Sequence, residues 1–289
     1  MPHAQSLPPS LPQRASSAVE LIREAATLVG LSVRLLDPEF GHLFELSDGH
    51  KSRTLVGGRS PLNNAVAARL AEDKYYTGLL LNRAGLQVPR SVRCLKPGYF
   101  VLSGLEDRAG VSPALPFAEQ HGFPLVVKPN RLSHGRQVQL VQDAEEMKSA
   151  IRRVWDFDYL ALVQTAHRGM DIRLDFLDGE FLVGYSRRRP PTSSPADIEI
   201  LNLARGAHAD VIESLPPDWM RLCRQIGEIL DLRYLGIDFK SEGLDADPAR
   251  ATVIEVNASP LFVQLYLFGE RERALRAQAR VLEAILKLP

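Results

Sequence analysis

The 289-residue chain is poor in the features that would settle its class at once. It has two cysteines, Cys94 and Cys223, far apart and without metal-ligand spacing. A disulfide framework and a thiolate zinc site are therefore not expected, and the chain reads as a reduced, cytoplasmic protein. It has no net charge: 35 Lys and Arg stand against 35 Asp and Glu. Bulk attraction to nucleic acid or to an anionic membrane is not expected from that balance. No apolar run is long enough to span a bilayer. The N-terminal MPHAQSLPPSLPQRASS lacks the apolar stretch of a signal peptide and, rich in proline and serine, reads as a disordered tail. Neither the P-loop pattern nor GxGxxG occurs. What remains is an ordinary globular composition, 45% hydrophobic and 24% charged, enough for one large domain or two to three small lobes.

Apolar residues at helical spacing from Val19 to Val29, stopped by Gly30, predict a first helix. LSVRLL reads as a strand, and HLFEL and SRTLV flank SDGHK as a hairpin. Helical patterns follow over residues 62–70 and 75–84, then the extended RSVRCL. FPLVVK (123–128) is a buried strand with RQVQLV (136–141) as its hairpin partner. DAEEMKSAIRRV opens a helix with Asp143 as cap and Glu146 three residues on. LALVQ is a strand, IRLDFL and FLVGYS form a hairpin about DGE, and PDWMRLCRQIGEIL is a helix. YLGIDFK and ATVIEV are strands around a turn-rich segment, and residues 270–288 form a charged amphipathic helix. Hairpins mixed with helices argue for α+β lobes rather than one doubly wound parallel sheet.

Chemistry concentrates in the last strands. Glu255 and Asn257, two apart in VIEVNASP, face one side of a strand, and Asp238 sits in the preceding GIDF. Either acid alone reads more readily as a turn or edge-strand charge. Together, on neighbouring apolar strands, they suit a hard cation such as Mg²⁺ rather than Zn²⁺. Upstream, Lys128 ends an apolar strand and Lys74 opens a helix, places from which an ammonium can meet a phosphate. The polar loop PNRLSHGRQV after Lys128 could close over a triphosphate.

In the order DK, FPLVVKP, SHGRQV, VQ, GMDIRL, GIDF, VIEVNASP, the chain resembles the ATP-grasp superfamily of carboxylate–amine ligases over roughly residues 70 to 268. It looks most like the ligase module of bifunctional glutathione and cyanophycin synthetases and the group that adds glutamate to ribosomal protein or lysine-pathway carriers. The resemblance implies an α+β fold with two lobes clasping ATP: a tail over 1–15, a lead-in domain over 16–72, a small lobe over 73–160 and a C-terminal lobe over 161–289. It implies Lys74 and Lys128 on the nucleotide phosphates, and Ser133, His134 and Gly135 in the loop above them. Gln164, Thr165 and Ala166 would meet the adenine edge, Asp171 the ribose, and Ile254 the adenine face. Asp238, Glu255 and Asn257 would hold one or two Mg²⁺, with Mn²⁺ able to substitute. Arg173 would stand by the transferred phosphate and Asn202 by the phosphates and acceptor. Implied substrates are amino acids or short peptides, with a carrier protein and a homo-oligomer left open.

The chain departs from that pattern in three ways. Its phosphate loop is poor in glycine. Ile200 stands where many relatives carry an acceptor-binding arginine, and the lead-in region is short. Arg187, Arg188 and Arg189 could replace the missing arginine, with Arg189 the choice. A nucleotide-binding module that does not ligate, or a phosphotransferase on the same fold, are the other functional readings. His121, His208, His167 and Arg168 read as surface or structural side chains, with solvent exposure favoured for His167 and Arg168. Cys94 and Cys223 read as core. Tyr75 and Tyr76 read as packing residues. The C-terminal helix suits either a dimer contact or packing on the body of the protein.

Overall fold

The structure, a computed structural model, describes residues 13–99, 109–132, 135–188 and 208–289. In chain order these form α1 (Gln13–Leu28), β1 (Ser32–Leu35), β2 (Leu43–Ser47), β3 (Ser52–Val56), α2 (Ala65–Glu72), α3 (Lys74–Arg83) and β4 (Ser91–Leu95). There follow α4 (Ala114–His121), β5 (Leu125–Pro129), β6 (Gln139–Val141), α5 (Ala144–Val154), β7 (Leu160–Thr165), β8 (Met170–Leu177) and β9 (Glu180–Arg188). The chain closes with β10 (His208–Ile212), α6 (Pro217–Leu230), β11 (Tyr234–Ser241), β12 (Thr252–Asn257), α7 (Val263–Leu267) and α8 (Arg271–Leu286).

By contacts the chain divides into two units, residues 1–63 with 259–289 and residues 64–258. The expected boundaries at 72/73 and 160/161 do not coincide with this division. The C-terminal α8 falls in the first unit rather than with residues 64–258. Its buried Ala274, Ala277, Val281, Leu282 and Ile285 lie against α1, whose Leu21, Ile22, Ala25 and Ala26 are buried in turn. The β2–β3 hairpin, paired from Ser47↔Ser52 to Leu43↔Val56, adds Phe44, Leu46 and Leu55 to the same core. An amphipathic helix must bury its apolar stripe somewhere, and here an early helix and hairpin supply the cover. Helix α1 begins at Gln13, inside the segment expected to be tail.

The second unit holds two antiparallel sheets. The four-stranded sheet has the order β4-β7-β5-β6. Its core joins Leu125, Val127, Ala161 and Val163 to Met147, Ile151 and Val154 of α5 and to Ala114 and Ala118 of α4. Asp143 caps α5 as expected, accepting from Glu145 N and Glu146 N at 2.9 Å each. The Glu146 carboxylate turns back to Gln142 N at 2.8 Å. The partner strand expected over 136–141 is only Gln139–Val141.

The five-stranded sheet has the order β10-β9-β8-β11-β12. One face is apolar: Ile172, Leu174 and Phe176 of β8, Leu235, Ile237 and Phe239 of β11, and Val253 and Val256 of β12 pack with Trp219, Cys223 and Ile226 of α6. Cys94 and Cys223 are core, as the sequence suggested, and burial pushes the Cys94 thiol up to about 12. With its apolar side covered, the sheet leaves the opposite face free for polar side chains, because successive residues of a strand alternate sides.

Candidate active site

That opposite face is a grid of charge. Register across β9, β8, β11 and β12 sets three rows. The first runs Arg187, Asp171, Lys240, Thr252. The second runs Tyr185, Arg173, Asp238, Glu255, and the third Val183, Asp175, Gly236, Asn257. The sheet therefore brings together Asp171, Arg173, Asp238, Glu255 and Asn257. Asp238 is directly opposite Glu255, and Asn257 opposite Gly236.

Asp238 is the hub. Its Oδ2 accepts from Arg173 Nη1 at 2.8 Å and its Oδ1 from Arg187 Nη2 at 2.7 Å. Asn257 Nδ2 approaches Oδ2 at 3.4 Å. Burial opposes the Asp238 charge, but the two arginines outweigh it and hold the carboxyl below its usual range. Burial likewise opposes the Arg173 and Arg187 charges, and the neighbouring carboxylates more than restore them. Of the arginine run in SRRRPP, Arg187 is the one the described structure places at the site. Arg189, the expected choice, lies outside the described residues, as do Ser133, His134 and Asn202.

Lys74 and Lys128 face the same acids. Lys74 Nζ lies 3.5 Å from Glu255 Oε1 and donates to Leu132 O at 2.7 Å. Its place at the start of α3 is fixed by two residues that the sequence reading passed over or left unused. Asp73 caps the helix, accepting from Tyr76 N at 3.1 Å. Asn130, fully buried, accepts from Tyr75 N at 3.0 Å through Oδ1, while its carbonyl accepts from Lys74 N at 3.2 Å. Lys128 is 4% exposed and its Nζ makes no hydrogen bond or ion pair among the described residues. Burial, then the Lys74 ammonium, push its amine down to about 8, against the pull of Glu255 and Asp238. A buried cation without an acid in contact is costly, which is what a site built to receive an anion would carry.

At the other end of the grid, Asp171 Oδ2 pairs with Lys240 Nζ at 2.8 Å, a partner the sequence reading did not foresee. Gly169 (φ 124°), in the GMD motif, sits so close to Ser241 that a Cβ would overlap its backbone. Gln164 and Thr165 end the strand β7, paired on both sides, and Ala166 begins the link to β8. His167 in that link corrects the expected exposure. It is half-buried, 3.0 Å by Nε2 from Thr165 Oγ1 and 3.3 Å by Nδ1 from Thr252 Oγ1. Burial and nearby Lys240 hold its pKa down, while Arg168 is exposed as expected. Ile254, expected at the adenine face, is half-buried in β12 at a break in register between Asp238 and Phe239. Gly135 lies in the turn between β5 and β6. Tyr75 packs under the Arg93 guanidinium at 4.2 Å, whereas Tyr76 is exposed.

The donor set fits a magnesium ion in kind. Two carboxylates on facing strands and an amide supply hard oxygens, and phosphate oxygens and water commonly complete such a shell. No cluster of three or more His, Cys, Asp or Glu suited to a metal exists among the described residues, so a protein-only cage is not what this face offers. The charges also fit. Lys74, Lys128, Arg173, Arg187 and Lys240 face Asp171, Asp175, Asp238 and Glu255, five cations against four carboxylates. That surplus of one is too small for a triphosphate, and a divalent cation would offset the rest.

Residues 71–284 match the RimK-like ATP-grasp domain. The chain is 30% identical over 151 residues to the glutamate–LysW ligase of Sulfurisphaera tokodaii, covering 50% of this chain and 49% of that one. It is 27% identical over 208 residues to a probable alpha-L-glutamate ligase of Thioalkalivibrio sulfidiphilus, covering 70% and 60%. The chain thus spans about half to three-fifths of the length of these curated relatives. Among solved structures, the bifunctional glutathione synthetase of Pasteurella multocida shares the fold at a TM-score of 0.56 and 16% identity, over 93% of this chain and 43% of that one. Among the described residues no helix is long and apolar enough to cross a membrane. With three quarters of its length matched and the charged sheet face in place, the chain belongs to the RimK-like ATP-grasp family.

Proposed function

We propose that this chain is an ATP- and Mg²⁺-dependent ligase that activates a carboxylate and joins it to an amine, forming an amide between amino acids or short peptides. The observation that carries the reading is the Arg173–Asp238–Glu255 row with Lys74 and Lys128 beside it. In the reaction, a substrate carboxylate oxygen attacks the γ-phosphorus and ADP leaves, giving an acyl phosphate. The amine then attacks the acyl carbon, loses a proton, and phosphate departs with the electron pair.

Asp238, Glu255 and Asn257 would hold the metal, which when bound neutralises phosphate charge as it redistributes. Lys74 and Lys128 orient the phosphate chain, and Arg173 and Arg187 face the place where negative charge gathers. Asp171 would hold the ribose, its remaining oxygen open to a hydroxyl while Lys240 steadies the other. Gln164, Thr165 and Ala166 would border the adenine, with Ile254 beneath it. The amine acceptor is a free amino acid, a short peptide or the terminus of a small carrier protein. The named LysW ligase and glutamate ligase relatives favour glutamate or a close analogue as one substrate.

The test is ADP release by purified protein with Mg²⁺-ATP against paired pools of amino acids, dipeptides and peptides with an acidic terminus, with mass spectrometry of products. ADP release that needs both an acid and an amine, and that Glu255→Gln lowers at least about 100-fold, is expected. A stable phosphorylated product formed without an amine would make the protein a phosphotransferase instead. Nucleotide binding with no turnover in any pool would favour a module that binds without ligating.

A further inference from the structure

Asp175 is a carboxylate on the reactive face that the proposed chemistry leaves without a task. Its side chain is 3% exposed, and its Oδ1 accepts from Arg173 Nε at 2.8 Å. Burying a carboxylate costs free energy unless a partner compensates it, and here burial pushes the Asp175 pKa up while Arg173 pulls it back. Across the sheet from it stands Gly236, where a Cβ would overlap both the Arg173 guanidinium and the Asp175 carboxylate. Two positions on two strands are thus given over to one ion pair.

The consequence lies in how Arg173 is shared. Its Nε edge is held by Asp175 and its Nη1 by Asp238. A divalent cation at Asp238 repels both guanidiniums that now hold that carboxylate. We propose that Asp175 is a positioning residue that keeps Arg173 compensated and in place when Asp238 turns to a metal. The proposal rests on the reading of Asp238 as a metal ligand given above. With Asp175 present, Arg173 keeps one carboxylate however Asp238 is used. With an uncharged residue there, metal binding would strand a buried guanidinium, so the metal would bind more weakly.

The experiment follows Mn²⁺ binding by electron paramagnetic resonance at saturating ADP, in the wild-type protein and in Asp175→Asn, which keeps the shape and removes the charge. Asp175→Asn is expected to weaken Mn²⁺ binding about 10- to 100-fold, with ADP affinity in the presence of a chelator unchanged. Unaltered Mn²⁺ affinity in folded Asp175→Asn would overturn the positioning role and leave the metal reading standing. Failure of the wild-type protein to bind Mn²⁺ with ADP would overturn the metal reading itself, and the proposal with it. A second measurement needs no variant at position 175. The arginine Nε–H resonance lost in Arg173→Lys is followed in the wild-type protein as Mg²⁺-ADP is added. Its persistence, shielded from exchange, is expected, and its loss to rapid exchange would show that Asp175 does not retain Arg173.

Discussion

Lys128 offers a prediction whose sign and size both follow from its surroundings. Its amine is pushed from 10.5 down to about 8 by burial and by Lys74, a penalty on the charged form of roughly 3 kcal/mol. A phosphate placed against it would remove most of that penalty, so the nucleotide binds the protonated form. Below pH 8 the empty site is already charged and affinity is flat. Above it, each further pH unit is expected to weaken ATP binding about tenfold, and binding takes up a proton. Stability runs the other way. The folded pKa is below the unfolded value, so between about 8 and 10.5 the unfolded chain binds more protons, and the Lys128 contribution to stability rises with pH. Loss of binding above pH 8 is therefore not a sign of unfolding. Calorimetry in two buffers of different ionisation enthalpy, at pH 7 and pH 9, measures both affinity and proton uptake. Lys128→Arg, whose guanidinium stays charged, is expected to flatten the profile. A wild-type affinity constant up to pH 10, or the same falling limb in Lys128→Arg, would refute the reasoning.

Two further expectations concern other parts of the molecule. Arg187→Lys removes the planar fork that reaches Asp238 at 2.7 Å and is expected to lower turnover by about 100-fold with little change in melting temperature; unchanged turnover would take Arg187 out of the reacting machinery. Asp143→Ala deletes the cap of α5, far from the grid in sequence, and is expected to cost about 1 kcal/mol in denaturant unfolding while leaving ADP release as it was.

How much of this was legible beforehand depends on whether the signal was local. The hairpin about SDGHK, the cap at Asp143 and the strand pair around Asp238 and Glu255 are local, and the structure contains them. Helix α4 was passed over because ALPFAEQH is short and holds a proline near its start. The destination of α8 was hidden because amphipathicity says that a stripe must be covered but not by what. Within the site, Arg173 was signalled only by the family resemblance, whereas Asp238, Glu255 and Asn257 stood out as polar residues in apolar strands. Asp175 and Lys240 carry the same signal in IRLDFL and GIDFK, yet their meaning depends on partners 61 or more positions away, Gly236 and Asp171, which only strand register identifies.

Strand β12 shows most clearly why register matters. Strict alternation would put Val253 on the same face as Glu255 and Asn257, and Thr252 on the other. The structure instead pairs Glu255 with Asp238 and Val253 with Phe239, leaving Ile254 as an extra residue between them. Such a bulge re-aims side chains without ending the strand. Because of it, Val253 and Val256 both stay in the core with Ile237 and Phe239, while Thr252 joins Glu255 and Asn257 on the charged face and meets His167. A one-residue slip would have exposed an entire apolar set or buried the carboxylates of the charged face. The single inserted residue puts Thr252, Glu255 and Asn257 of one strand on the same charged face, with the core behind it unbroken.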